Sequence, residues 1–171
     1  MIRKQLIGFV GAMLAILASA FVYLQSARLF AFVALPPDET AGRLAFAFHW
    51  LLLPGLMLLI GIVGASRRGF YADAIDGTRT PANAALEINL RYNQNTIEQA
   101  FLAAIAWTGL AIALPHDRLV LIPAMACLFV VGRIAFWIGY LIHPTGRTFG
   151  MTLTVIPTLV AFAWLLWRFA T

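Results

Sequence analysis

Five apolar stretches run along the chain: Leu6 to Leu35, Leu44 to Ser66, Ala84 to Leu114, Leu119 to Ile142 and Thr148 to Phe169. Each approaches or exceeds the ~20 residues a helix needs to cross a bilayer. The breaks between them read "PPDETAGR", "RRGFYADAIDGTRTP", "PHDR" and "HPTGR", where Pro, Gly and charge end helices and require water. No stretch alternates apolar and polar positions as a membrane barrel strand does, and no fixed-period repeat is present. The pattern predicts an all-α integral membrane protein, multi-pass, with five transmembrane helices and the lipid bilayer as its surroundings.

Composition narrows the class further. Of 171 residues, 62% are hydrophobic and 11% charged, against roughly 25% charged in a soluble domain. The net charge of +5 sits at segment ends rather than on one soluble face, which argues against nucleic acid. With a cytoplasmic amino terminus, Arg3, Lys4, Arg67, Arg68, Arg79 and Arg147 share one side, with Arg91 nearby, while Arg43, Arg118 and Arg168 lie opposite with Asp38, Glu39 and Asp117. The positive-inside rule favours that orientation. The start, "MIRKQLIGFVGAMLAILASA", has the layout of a signal peptide, but the apolar run continues through "FVYLQSARLFAFVAL" and is read as a retained helix. Its small residues, like those of "GLMLLIGIVGAS", suit close helix packing. The single cysteine, Cys127, is read as packing and forms no disulfide within the chain. His49, His116 and His143 lack metal-ligand spacing, so no metal is expected.

One stretch resists the apolar pattern. "INLRYNQNTIEQAF", Ile88 to Phe101, crowds polar side chains against the apolar run Ala100 to Leu114. That run is about 22 Å of helix, short of the roughly 30 Å hydrocarbon core. The membrane must reach back to about Asn95, which brings Glu98 and Gln99 to hydrocarbon depth and Arg91 to the headgroups. An ionisable residue at such depth marks a site by default. Arg91, Asn95 and Glu98, at i, i+4 and i+7, share a helical face. The following segment runs antiparallel and carries Arg133 and Tyr140. Counted from the far ends, Glu98 and Arg133 lie at about 24 and 21 Å, so an ion pair between them is predicted. Tyr140 falls between Asn95 and Arg91 in depth, and Arg147 follows just beyond the turn.

These positions predict a cationic, amide-rich pocket at the cytoplasmic edge, formed by Arg67 or Arg68, Arg91, Asn95, Glu98, Tyr140 and Arg147. Arginines clamp carboxylates, a carboxylate holds an ammonium, and an arginine or phenol at a sulfur stabilises a thiolate. A small peptide with two carboxylates, an amine and a thiol suits all of these groups. Each residue also has a plainer role: Arg67, Arg68 and Arg147 as topology anchors, Tyr140 as an interfacial aromatic, and Glu98 with Arg133 as structural glue.

The spaced motifs "ASRRGF", "RYNQNTIE" and "RIAFWIGY", with an arginine seven residues after the last, resemble the MAPEG family, membrane-associated proteins in eicosanoid and glutathione metabolism. The resemblance spans about Leu44 to Phe169. It implies a four-helix MAPEG-like domain over residues 44–171, preceded by an additional helix in residues 1–35. It also implies a homotrimer with a glutathione site between subunits on the cytoplasmic side, and a hydrophobic small-molecule substrate arriving from the bilayer. Glutathione would be a co-substrate held by Arg67, Arg91, Asn95, Glu98 and Tyr140, with Arg147 stabilising its thiolate and Arg133 matching an arginine of the family's third helix. The expected activity is glutathione transfer, with peroxidase activity as an added expectation; the alternative is a non-catalytic lipid-binding scaffold of the same fold. Phe136 and Gln99 stand where leukotriene-type members carry tyrosine, and the first helix has no counterpart in the four-helix pattern.

Overall fold

The structure is a computed structural model that describes residues 2–171, with side chains from Gln5 onward. The side chains of Arg3 and Lys4, two of the basic residues used to orient the chain, lie outside the described residues. Five helices run through it: α1 (Ile2–Leu29), α2 (Thr40–Ser66), α3 (Ala84–Ala113), α4 (Leu121–Ile142) and α5 (Arg147–Ala170). All five are long and apolar enough to cross a membrane. Short 3₁₀ turns, Arg67–Phe70 and His116–Arg118, end α2 and precede α4.

Helix ends follow local chemistry. Asn83 caps α3, its side chain accepting from the Leu86 amide at 3.0 Å. Beyond Ala113 the chain turns extended at Leu114, and Arg43 reaches across from α2 to donate to the carbonyls of Ala111 and Leu114 at 3.1 and 2.8 Å. Those are orphan acceptors of a helix end, and Asp38 holds the same guanidinium at 2.6 Å. The first helix stops six residues before the predicted Leu35. Phe30 turns back instead and buries its ring on Val120 and Ala124 of the α4 start. Leu35, ahead of Pro36, is held out of helical backbone by the proline ring. The continuous helix is therefore about 42 Å rather than about 45 Å.

Helices α2 to α5 form a bundle in which α2 packs on α3 and α4 on α5, and α3 and α4 each touch all three of the others. Its core joins Trp107 of α3, set edge-on to Phe129 of α4 at 6.3 Å, with Leu110, Leu119 and Ile122. Small residues let the backbones approach, as expected where dispersion rather than water exclusion drives helix association. A Cβ on Gly150 would enter the backbone of Gly132 and Phe136, and one on Gly61 would enter the side chains of Tyr92 and Asn93. The predicted contact role of "GLMLLIGIVGAS" is thus met by Gly61 and Gly64, which face α3.

Helix α1 lies outside this bundle, against α5 and the start of α4. Gly11 sets it close to the Phe149 backbone, and Ala15 is fully buried. Cys127 departs from its expected packing role, because it is exposed on the outer face of α4. One residue on either side, Ala126 and Leu128, turns toward the interior.

Candidate functional site

Helix α3 divides its polar residues between two faces. Asn89, Tyr92, Thr96 and Gln99 are buried and Asn93 half-buried, whereas Arg91, Gln94 and Glu98 are exposed. On the inner face, the Asn89 and Asn93 amides both donate to the Gly61 carbonyl, at 2.9 and 3.1 Å. The Tyr92 hydroxyl donates to the Met57 carbonyl at 3.0 Å, and its ring stacks on Trp137 at 4.8 Å. Tyr92, Asn89 and Asn93 therefore lock α3 to α2 by hydrogen bonds inside the bundle, where the packed helices keep water away. The role of these three residues was missed from sequence, although the spacing of 89, 92, 93 and 96 is that of one helical face.

Arg133 is 0% exposed and holds no carboxylate. Its Nη1 donates to Asn95 Oδ1 at 2.7 Å and its Nη2 to Thr154 Oγ1 at 2.6 Å. The guanidinium also lies 4.9 Å from the Phe136 ring centroid and 5.6 Å from that of Phe129. Neutral dipoles and aromatic faces thus carry the charge. The predicted Glu98–Arg133 ion pair is not formed: Glu98 is exposed and accepts from Gln94 Nε2 at 2.7 Å. At 100° per residue Glu98 is rotated about 60° from Asn95, enough to turn it out of the interhelical seam. Thr154, which no spacing rule singled out, takes the place expected of the carboxylate.

At the membrane-face end of α4 and α5, Tyr140 and Arg147 do meet. The Arg147 guanidinium lies over the Tyr140 ring at 4.6 Å, and Tyr140 sits edge-on to Phe136 at 5.8 Å. Arg147, Tyr140, Phe136 and Arg133 thereby form one ladder of cations and rings from the α4–α5 turn into the core. Among the described residues, no hydrogen bond engages the Arg147 guanidinium or the Tyr140 hydroxyl. The remaining predicted residues stand apart. Arg91 pairs with Glu87 at 2.7 Å on the surface, Arg67 donates to the Ala85 carbonyl at 3.0 Å, and Arg68 to that of Ala74 at 2.9 Å. One chain does not close these groups into the predicted pocket, because Arg91 and Glu98 point outward while Asn95 points at Arg133.

Phe136 and Gln99, the two positions lacking a tyrosine hydroxyl, are both buried. Phe136 is occupied by its contacts to Arg133 and Tyr140. Gln99 borders a small groove between α3 and α5.

The sequence matches the MAPEG family over residues 43–167. It is 29% identical over 79 residues to transmembrane protein 79 of Mus musculus and 31% identical over 84 residues to that of Bos taurus. These matches cover 46% and 49% of this chain, and the chain spans 20% of the length of each relative. No solved structure matches.

Proposed function

Because the chain belongs to the MAPEG family, we propose that it is a membrane-bound glutathione transferase. In this reading it activates the glutathione thiol for attack on a lipophilic electrophile, with peroxidase activity as a second use of the same thiolate. The observation that carries the reading is the Arg147 guanidinium, stacked on Tyr140 and, among the described residues, in no hydrogen bond. A fixed cation beside a thiol favours the thiolate, the reactive form of the nucleophile. The sulfur then bonds to the electrophilic carbon, whose displaced electron pair leaves with the leaving group or takes up a proton. Arg67, Arg91, Asn95, Glu98 and Tyr140 are the proposed binding groups for glutathione, on the cytoplasmic side with the amino terminus.

A second chain supplies what one chain leaves open. Glu98 lies near the middle of α3, exposed beside Ile97 and Phe101, and a carboxylate facing lipid at that depth is costly. Covering this face with a neighbouring subunit, in a homotrimer, would remove the cost and give Arg91 and Glu98 a ligand to hold. The competing reading is a non-catalytic lipid-binding scaffold. It is favoured by Phe136 and Gln99, which are packed inside and offer no hydroxyl to a substrate.

Thiolate absorbance on mixing purified protein with glutathione separates the two readings. The transferase reading expects a thiolate signal near neutral pH that Arg147→Ala abolishes with the fold intact. Absence of both signal and glutathione binding in the unmodified protein would leave the scaffold.

A further inference from the structure

The contact between α1 and α5 is close at one end and open at the other. Near the amino-terminal end, Gly8 faces Thr148 and Gly11 meets the Phe149 backbone at 3.4 Å. Toward the opposite membrane face the two helices part around a cavity of ≈ 450 Å³, within the roughly 300–1,000 Å³ of small-molecule sites. Its floor is buried: Leu110 of α3, Leu114 just past its end, Ala124 of α4 and Ala161 of α5. The small side chains at 124 and 161 keep it open. Pro157, also on its wall, has no N–H to return to the Leu153 carbonyl, a local weakness in α5.

The two rims run in the same direction. Ile16, Ala20 and Leu24 of α1 and Ile156, Val160 and Trp164 of α5 each recur one turn apart along the lining, beyond the end where Gly8 meets Thr148 and Gly11 meets Phe149. The rim residues Ala20, Leu24 and Val160 are exposed, so the mouth opens sideways between α1 and α5, into the bilayer rather than into water. Each rim spans nine residues, a rise of about 12 Å along the helix. The lining is almost wholly apolar, and the Ser19 hydroxyl is already engaged by the Ala15 carbonyl at 2.8 Å. Water has no partners there, whereas a hydrocarbon chain from the bilayer regains dispersion contacts on every side.

Charge identifies the rest of the occupant. One turn beyond Leu24 is Arg28, and one turn beyond Trp164 is Arg168, so each of the two parallel stripes ends in an arginine at the same end of the groove. Both are exposed, and neither has an ion-pair partner among the described residues. Tyr23 and Trp164 line the same end, as aromatic residues do near a headgroup layer.

We propose that this groove is a binding site for an anionic phospholipid of the bilayer. One acyl chain lies along the floor formed by α3, α4 and α5, and the phosphate is held by Arg28 and Arg168. The site exists only because α1 supplies one wall, and it is independent of the glutathione reading.

The test uses the full chain in mild detergent, titrated with phosphatidylglycerol or phosphatidylcholine and followed by native mass spectrometry. Phosphatidylglycerol should be retained at least fivefold better, and the double substitution Arg28→Gln, Arg168→Gln should erase that preference. Ala20→Trp, placed in the exposed mouth where it leaves the core alone, should reduce retention of both lipids fivefold or more. A phosphatidylglycerol carrying a photoreactive group in its acyl chain should label the peptides containing Ala124 and Ala161. Equal retention of the two lipids, or retention unchanged by Ala20→Trp, would overturn the proposal. So would labelling confined to outward residues such as Leu17, or a groove that labels in the monomer and is closed by a second copy in the oligomer.

Discussion

Arg133 shows how much a single residue's rotation matters. A buried guanidinium without a carboxylate depends on each neutral acceptor it has, and Asn95 and Thr154 are those acceptors. Asn95→Ala should therefore cost about 1–3 kcal/mol by stranding a charged donor, seen as a lowered thermal midpoint in detergent. Glu98→Gln should leave that midpoint unchanged while weakening glutathione binding. If Glu98→Gln were instead the destabilising change, the carboxylate would be paired with Arg133 after all. Sequence spacing had put Asn95 and Glu98 on one face, and depth counting had chosen Glu98 as the partner of Arg133. The choice fell on the wrong one of the two, because a rotation of about 60° separates them and only the crossing of α3 with α4 says which side faces in. Thr154 was illegible for a related reason: a threonine in an apolar helix has no signal until its neighbour is known.

Among the elements, the interface between α4 and α5 is the least tolerant. Gly132 and Gly150 bring the two backbones together, with the Thr154 methyl 2.6 Å from where a Cβ on Gly132 would stand. Gly150→Leu should force the helices apart, displace Thr154 from Arg133, and abolish a cooperative thermal transition. A variant that still melts at the parental temperature would show that the helices have room. The connection between α2 and α3 is held differently. Asp76 accepts from the Thr78 amide at 3.1 Å and from its hydroxyl at 2.8 Å, and these bonds lower its pKa below the usual 3.8. A depressed carboxylate supports the folded loop above its unfolded pKa, near 3.9, and loses that support as pH falls through the folded value. The loop should become more open to proteolysis as the pH is lowered into that acidic range, and Asp76→Asn should remove this pH dependence. The helices themselves were legible to within a few residues, since length and hydropathy define a spanning segment. The early end of α1 was not, because Phe30 leaves the helix for a contact on α4 that local sequence does not contain.

At the scale of the whole molecule, the outer face of α3 is unfinished in one chain. Glu98 among Ile97, Phe101 and Ile105 is costly against lipid and acceptable against a second subunit. A homotrimer should appear by mass measurement in mild detergent, and Phe101→Arg should dissociate it while leaving helical content intact; a trimer that persists in this variant would place the interface elsewhere. The amino-acid sequence by itself determined the membrane class, the five helices, the polar load of α3 and the family motifs, because each is encoded in hydropathy or in spacing along one helix. Only the tertiary structure decided that α1 rests on α5 and leaves a groove, that Arg133 is satisfied without a carboxylate, and that Arg147 lies on Tyr140. Those outcomes depend on the rotation and crossing of helices about one another. In a bilayer these are set by small residues, hydrogen bonds and close packing between helices.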